Sequence, residues 1–139
     1  MGRVTAEALI ENFGDAWRAL LGEIPVEEIR GVVVKDALVD TGVTLLSMPT
    51  TLIRQLGLQR TGSKRVNSSI GPAETAIYAA VRLTIQGRTC TMDVSEVPDG
   101  IPTLIGQIPL EHLDFVVDHR NRTLIGNPAH GGEHMYDLY

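Results

Sequence analysis

Ala37-Leu38-Val39-Asp40-Thr41-Gly42-Val43-Thr44-Leu45-Leu46-Ser47-Met48-Pro49 is the stretch on which the reading turns. A buried apolar strand that delivers an aspartate, then a small hydroxyl residue, then glycine, ends in an acidic turn. An acid in a largely apolar setting has its charged form disfavoured, and glycine lets a second backbone approach closely. Alone, Asp-Thr-Gly also describes an ordinary β-turn, so the flanks decide.

Upstream, Val26 to Val34 ends in the apolar run Gly31-Val32-Val33-Val34 and reads as strand. Downstream, Pro49 to Gly57 has proline near a helix start, apolar Leu52, Ile53 and Leu56, and glycine where a C-terminal cap belongs. Lys64–Ile70 and Thr75–Ile85 flank Ile70-Gly71-Pro72 as two strands flank a hairpin tip. Further strands are predicted at Arg3–Ile10, Leu45–Met48, Thr89–Val94, Phe115–Val117 and Arg122–Ile125, and short helical turns at Asp15–Gly22 and Pro109–Leu113. Thr103-Leu104-Ile105-Gly106 recurs as Thr123-Leu124-Ile125-Gly126, but the flanks differ, and the pair reads as two similar β segments rather than a repeat. The expectation is one mainly β domain over residues 1–139, with its core at about 26–126.

At 139 residues with 43% hydrophobic and 21% charged side chains, the composition supports one core and no apolar run of about 18 residues that would cross a membrane. The net charge of −5, with scattered Lys and Arg, provides no basic face for nucleic acid. Cys90 is the single cysteine, so no intrachain disulfide forms, and the N-terminus lacks a secretion signal; together these predict a cytoplasmic protein.

With its helix-like follower Leu52–Leu58, the opening segment resembles the active-site region of the retropepsin-like aspartic proteases of clan AA, most closely the small bacterial single-domain type. Pro102 to Leu110 resembles the hydrophobic-hydrophobic-glycine strand that crosses behind the catalytic loop in that family, with a short helix after it. Lys64–Ile85 has the length of a flap. The resemblance implies a closed acid-protease barrel with one or two short helices, active as a symmetric homodimer on peptide substrates, without a cofactor. Asp40 would be the catalytic carboxylate, paired with its own symmetry mate because no second Asp-Thr-Gly exists in the chain. Thr41 would brace the two loops across the axis and Gly42 would offer backbone to substrate. Val43, Ile70, Gly71 and Leu104 would line the cleft. Arg3–Ile10 and Met135–Tyr139 would build the dimer interface as terminal strands.

One departure is Val43, where the family usually has alanine or serine; valine is bulkier and offers no hydroxyl to the carboxylate. It keeps a second reading open, an inactive retropepsin-fold module for dimerisation or peptide binding. His130-Gly131-Gly132-Glu133-His134 invites a metal reading, but it lies in a glycine-rich segment without the helix that makes two histidines converge and reads as solvated tail, so no metal is expected. His112 and His119 read as surface residues, Cys90 as a buried thiol, and Tyr78 as a packed strand ring.

Overall fold

The computed structural model describes residues 3–138; Tyr139, the last residue of the expected interface strand Met135–Tyr139, lies outside them. Among the described residues nine strands are formed: β1 (Thr5–Asn12), β2 (Gly31–Val39), β3 (Leu46–Pro49), β4 (Gln59–Ser68), β5 (Gly71–Ile85), β6 (Arg88–Val97), β7 (Leu104–Ile105), β8 (Phe115–Asp118) and β9 (Thr123–Gly126). Among the described residues the helices that join them are few and short: α1 (Phe13–Leu20), α2 (Thr50–Gln55) and α3 (Gln107–His112).

Strands pair in the order β1-β2-β7-β3-β6-β5, and β1 pairs again with β5, so six strands close a ring. The barrel is mixed, with β2/β7 and β3/β6 parallel and its other pairs antiparallel. Alternation fills the interior: along β5, Ile77, Val81, Leu83 and Ile85 are buried, and Ile10, Leu46, Met48, Val94 and Ile105 meet them in one core. Ile53 and Leu56 of the α2 segment join that core, and Gly57, at φ +67°, ends the helix in the left-handed conformation glycine adopts without strain.

Several boundaries move from the sequence reading for physical reasons. Val26–Glu28 is a 3₁₀ turn, and β2 begins only at Gly31. β4 starts at Gln59, five residues before the predicted strand; almost all of it is exposed, so no apolar alternation marked its first half. Its strand character comes from pairing with β5 between Gln59↔Ala79 and Ser68↔Gly71.

The predicted terminal strands also change role within one chain. β1 pairs with β2 along its length, and its other edge is taken by β5 from Leu9 to Asn12, so most of its hydrogen-bonding capacity is used inside the barrel. The tail from Glu133 to Leu138 forms no strand. Nor is it a loosely solvated tail. Asp114 Oδ2 lies 2.6 Å from His130 Nδ1 and accepts from Met135 N at 3.2 Å, and Arg88 Nη2 donates to Gly132 O at 2.6 Å.

Candidate active site

β2 carries buried Val39 to the barrel rim, and the next residue, Asp40, is exposed. β7 fits between the two strands that the Asp40–Leu45 loop connects. It runs parallel to β2 (Leu38↔Leu104, Val39↔Ile105) and antiparallel to β3 (Leu46↔Ile105, Ser47↔Leu104). Asp40 N donates to Ile105 O at 3.0 Å, which fixes where the strand stops. The loop then turns on itself: Gly42 N donates to Asp40 Oδ1 at 2.9 Å and Val43 N to Asp40 O at 3.1 Å. One carboxylate oxygen is thereby oriented by backbone.

The far side of the loop is held by α3. Gly106 N donates to Leu45 O at 3.1 Å, Gln107 N to Val43 O at 2.7 Å and Ile108 N to Thr44 O at 2.9 Å. These are amides that a helix start leaves without internal partners, and the following residue, Pro109, has no N–H to satisfy. The first turn of α3 and the loop's carbonyls therefore complete each other. Such an approach requires glycine: a Cβ on Gly106 would stand 2.5 Å from both Val43 O and Leu45 O. Behind the loop, Ser47 Oγ and Ser95 Oγ share a buried hydrogen bond of 2.6 Å that joins β3 to β6.

Asp40, Thr41, Gly42, Val43 and Leu104 are thus gathered at one end of β2 and β7. Ile70 and Gly71 are not joined to them by any hydrogen bond among the described residues. Ile70 is 96% exposed in the two-residue turn of the β4–β5 hairpin, where Ser68 Oγ donates to Gly71 O at 2.7 Å. A cleft of about 140 Å3 lies between the hairpin shaft and the loop's end, lined by Leu45, Ile77, Met92, Val94 and Ile108, with Lys64 and Asp93 beside them.

Asp99, Asp114 and Asp118, which lack a following Thr-Gly, have other tasks. Asp99 accepts from Thr51 N and Thr51 Oγ1 at 3.0 and 2.7 Å at the start of α2, and these bonds hold its carboxyl below the usual range. Asp118 is lowered by Asn121 and Arg120 in the β8–β9 turn. Asp114 is brought down to about 2, first by His130.

The profile of the aspartyl protease family matches residues 26–108, from the turn before β2 through the loop, the hairpin and the start of α3. The chain belongs to the retropepsin-like aspartyl proteases. No curated protein matches it. The retropepsin-like match contains Asp40-Thr41-Gly42 and Gly106 but leaves β1, α1, β8, β9 and the tail outside. Sequence reasoning had located Leu104 to Gly106 as a strand behind the loop; it missed the amides of Gln107 and Ile108 as the loop's anchors. The signal was present in the Gly-x-x-Pro spacing of Gly106 and Pro109, which leaves three free donors at one helix start.

Proposed function

We propose that the protein is an aspartic endopeptidase in which Asp40 meets the Asp40 of a second copy across a two-fold axis. The supporting observation is the loop itself: an exposed carboxylate, oriented by Gly42 N, on a backbone clamped between β7 and α3. A single chain presents one such carboxylate. Two of them about 3 Å apart share one proton, so one accepts a proton from the attacking water while the other donates to the scissile carbonyl. No covalent intermediate forms. Thr41 braces the paired loops, and Gly42 offers backbone to an extended substrate that adds to the flap as a strand. Val43, Leu104, Ile70 and Gly71 supply cleft surface, with the flap tip closing over the peptide.

Surface for the second copy is available at the outer backbone edge of Thr5–Ala8, which β5 does not pair, and at Met135, Tyr136 and Leu138, whose side chains are exposed in one chain. The test is cleavage of a mixed peptide library between pH 4 and 7 by wild-type and Asp40→Asn protein, read by mass spectrometry. General acid–base chemistry contributes about 10²–10⁴-fold, so cuts should disappear in the variant while the dimer stays folded. Wild-type cleavage by Asp40→Asn sinks the mechanism. A folded wild-type dimer that cuts nothing but still binds peptides would instead be an inactive binding module.

A further inference from the structure

α1 is built inside out. Its inward side carries Asp15 and Ala16, both buried, while Phe13, Trp17, Leu20 and Leu21 fall at i, i+4, i+7 and i+8 on one outward stripe. Trp17 is 50% exposed, Leu20 75% and Leu21 56%. Val26, 66% exposed, extends the apolar surface onto the 3₁₀ turn that packs against α1. The Phe13 and Trp17 rings lie 6.2 Å apart and order the stripe. The buried polar side is satisfied: Asp15 accepts from Arg30 Nε at 2.8 Å and Arg30 Nη2 at 3.0 Å, which holds its carboxyl below the usual range. An ion pair thus anchors the helix so that its apolar side faces out. Contiguous apolar surface of this kind marks an interaction site.

We infer that the α1 stripe docks an amphipathic helix of a partner protein, with leucine-like anchors flanked by Lys or Arg. Charge selects the partner. Glu27 and Glu28 follow the stripe and are exposed, while the other charges nearby are engaged with one another: Arg18 with Glu23 at 3.7 Å and Arg30 with Asp15 at 2.8 Å. A second copy docking stripe to stripe would bring acid against acid. An anionic lipid surface meets the same repulsion, and α1 has no lysine on its flanks to offset it.

Trp17 is the single tryptophan, so its emission reports directly on this face. The full chain is titrated with a synthetic Leu/Lys amphipathic helix, with a Leu/Glu helix of identical apolar spacing, and with phosphatidylcholine and phosphatidylglycerol vesicles; peptide integrity is checked by mass. The Leu/Lys helix should shift emission to the blue and bind at least about tenfold more tightly than the Leu/Glu helix, since opposite charge is favoured and like charge suppressed across such a rim. Leu20→Ser/Leu21→Ser should weaken it by a similar factor with the thermal midpoint kept, and Glu27→Lys/Glu28→Lys should reverse the preference between the two helices. Equal affinity for both, a blue shift on vesicles alone, no shift at all, or a concentration-dependent shift from self-association that Leu20→Ser/Leu21→Ser removes would each overturn the inference.

Discussion

The two ends of α3 hold two segments by different means. At its N-terminus, three backbone amides grip the Val43–Leu45 carbonyls, and no side chain is involved. At its C-terminus, side chains hold Asn127 to Tyr136. Asp114, at φ +57°, ends the helix where glycine is usual, and its carboxylate takes Asn127 Nδ2 at 3.2 Å, Met135 N and His130 Nδ1. Tyr136 donates to His112 O, a carbonyl the helix end leaves free. A backbone clamp tolerates almost any side chain but demands glycine at the point of approach. A side-chain clamp tolerates backbone variation but depends on each partner and on pH.

The sharpest break of the backbone clamp is Gly106→Ala. A methyl 2.5 Å from two carbonyl oxygens cannot be absorbed by a side chain turning away, because the obstacles are backbone. The loop or α3 must move, and the three amide bonds go with it. Stability should fall by about 3 kcal/mol or more in urea unfolding, with peptide cleavage lost even at temperatures where the variant remains folded. A variant as stable and active as wild type would show that the loop is not held from α3.

The corresponding cut in the side-chain clamp is Arg88→Met. The guanidinium donates to Leu113 O at 2.9 Å, Asp114 O at 2.8 Å and Gly132 O, and lies 4.5 Å over the Phe115 ring. Methionine keeps the stacking surface and abandons three carbonyls, for about 2 kcal/mol in denaturant unfolding. Since none of those carbonyls touches the loop, turnover should change less than about threefold, well below the 10²-fold scale of a lost acid or base. Equal losses of stability and turnover would merge the two clamps into one unit.

pH separates them further. Pairing with Asp114 raises the His130 pKa above its ordinary 6.5, and the same pairing, with Met135 N and Asn127, lowers Asp114 to about 2. A raised histidine contributes stability that is complete below 6.5 and fades as pH climbs through the raised value; a lowered aspartate contributes above 3.8 and fades as pH falls toward 2. Asp137, 3.9 Å from His130 Nε2, adds to the first effect. The gap in thermal midpoint between wild type and His130→Gln should therefore be widest from about pH 4 to 6.5 and narrow at higher pH. A constant gap across pH 4 to 9 would reduce His130 to packing.

The same contrast explains what the sequence disclosed. β2, the loop and β7 were legible because backbone packing demands a pattern: apolar runs for a buried strand, glycine at 106 for contact. The tail was not, because Asn127 and His130 resemble any polar loop until Asp114, over ten residues earlier, faces them. β4 lacked a pattern because both its faces are exposed. α1 inverted the pattern, since its apolar spacing suggests an inward face, yet its buried residues are Asp15 and Ala16.

The smallest expected effect probes the strand between the clamps. Thr103, immediately before β7, is buried, and its Oγ1 has no hydrogen-bond partner among the described residues, although its carbonyl accepts from Leu38 N at 2.9 Å. A buried hydroxyl without a partner loses hydration and gains nothing, so Thr103→Val, nearly equal in shape, should leave stability within about 1 kcal/mol or raise it. The β2–β7 backbone pairing survives the change, so the loop stays placed and cleavage should match wild type. If the variant were stable yet slow, with kcat lowered and KM unchanged, the hydroxyl would have a partner that only the working assembly provides. The loop's support would then include a side-chain contact after all.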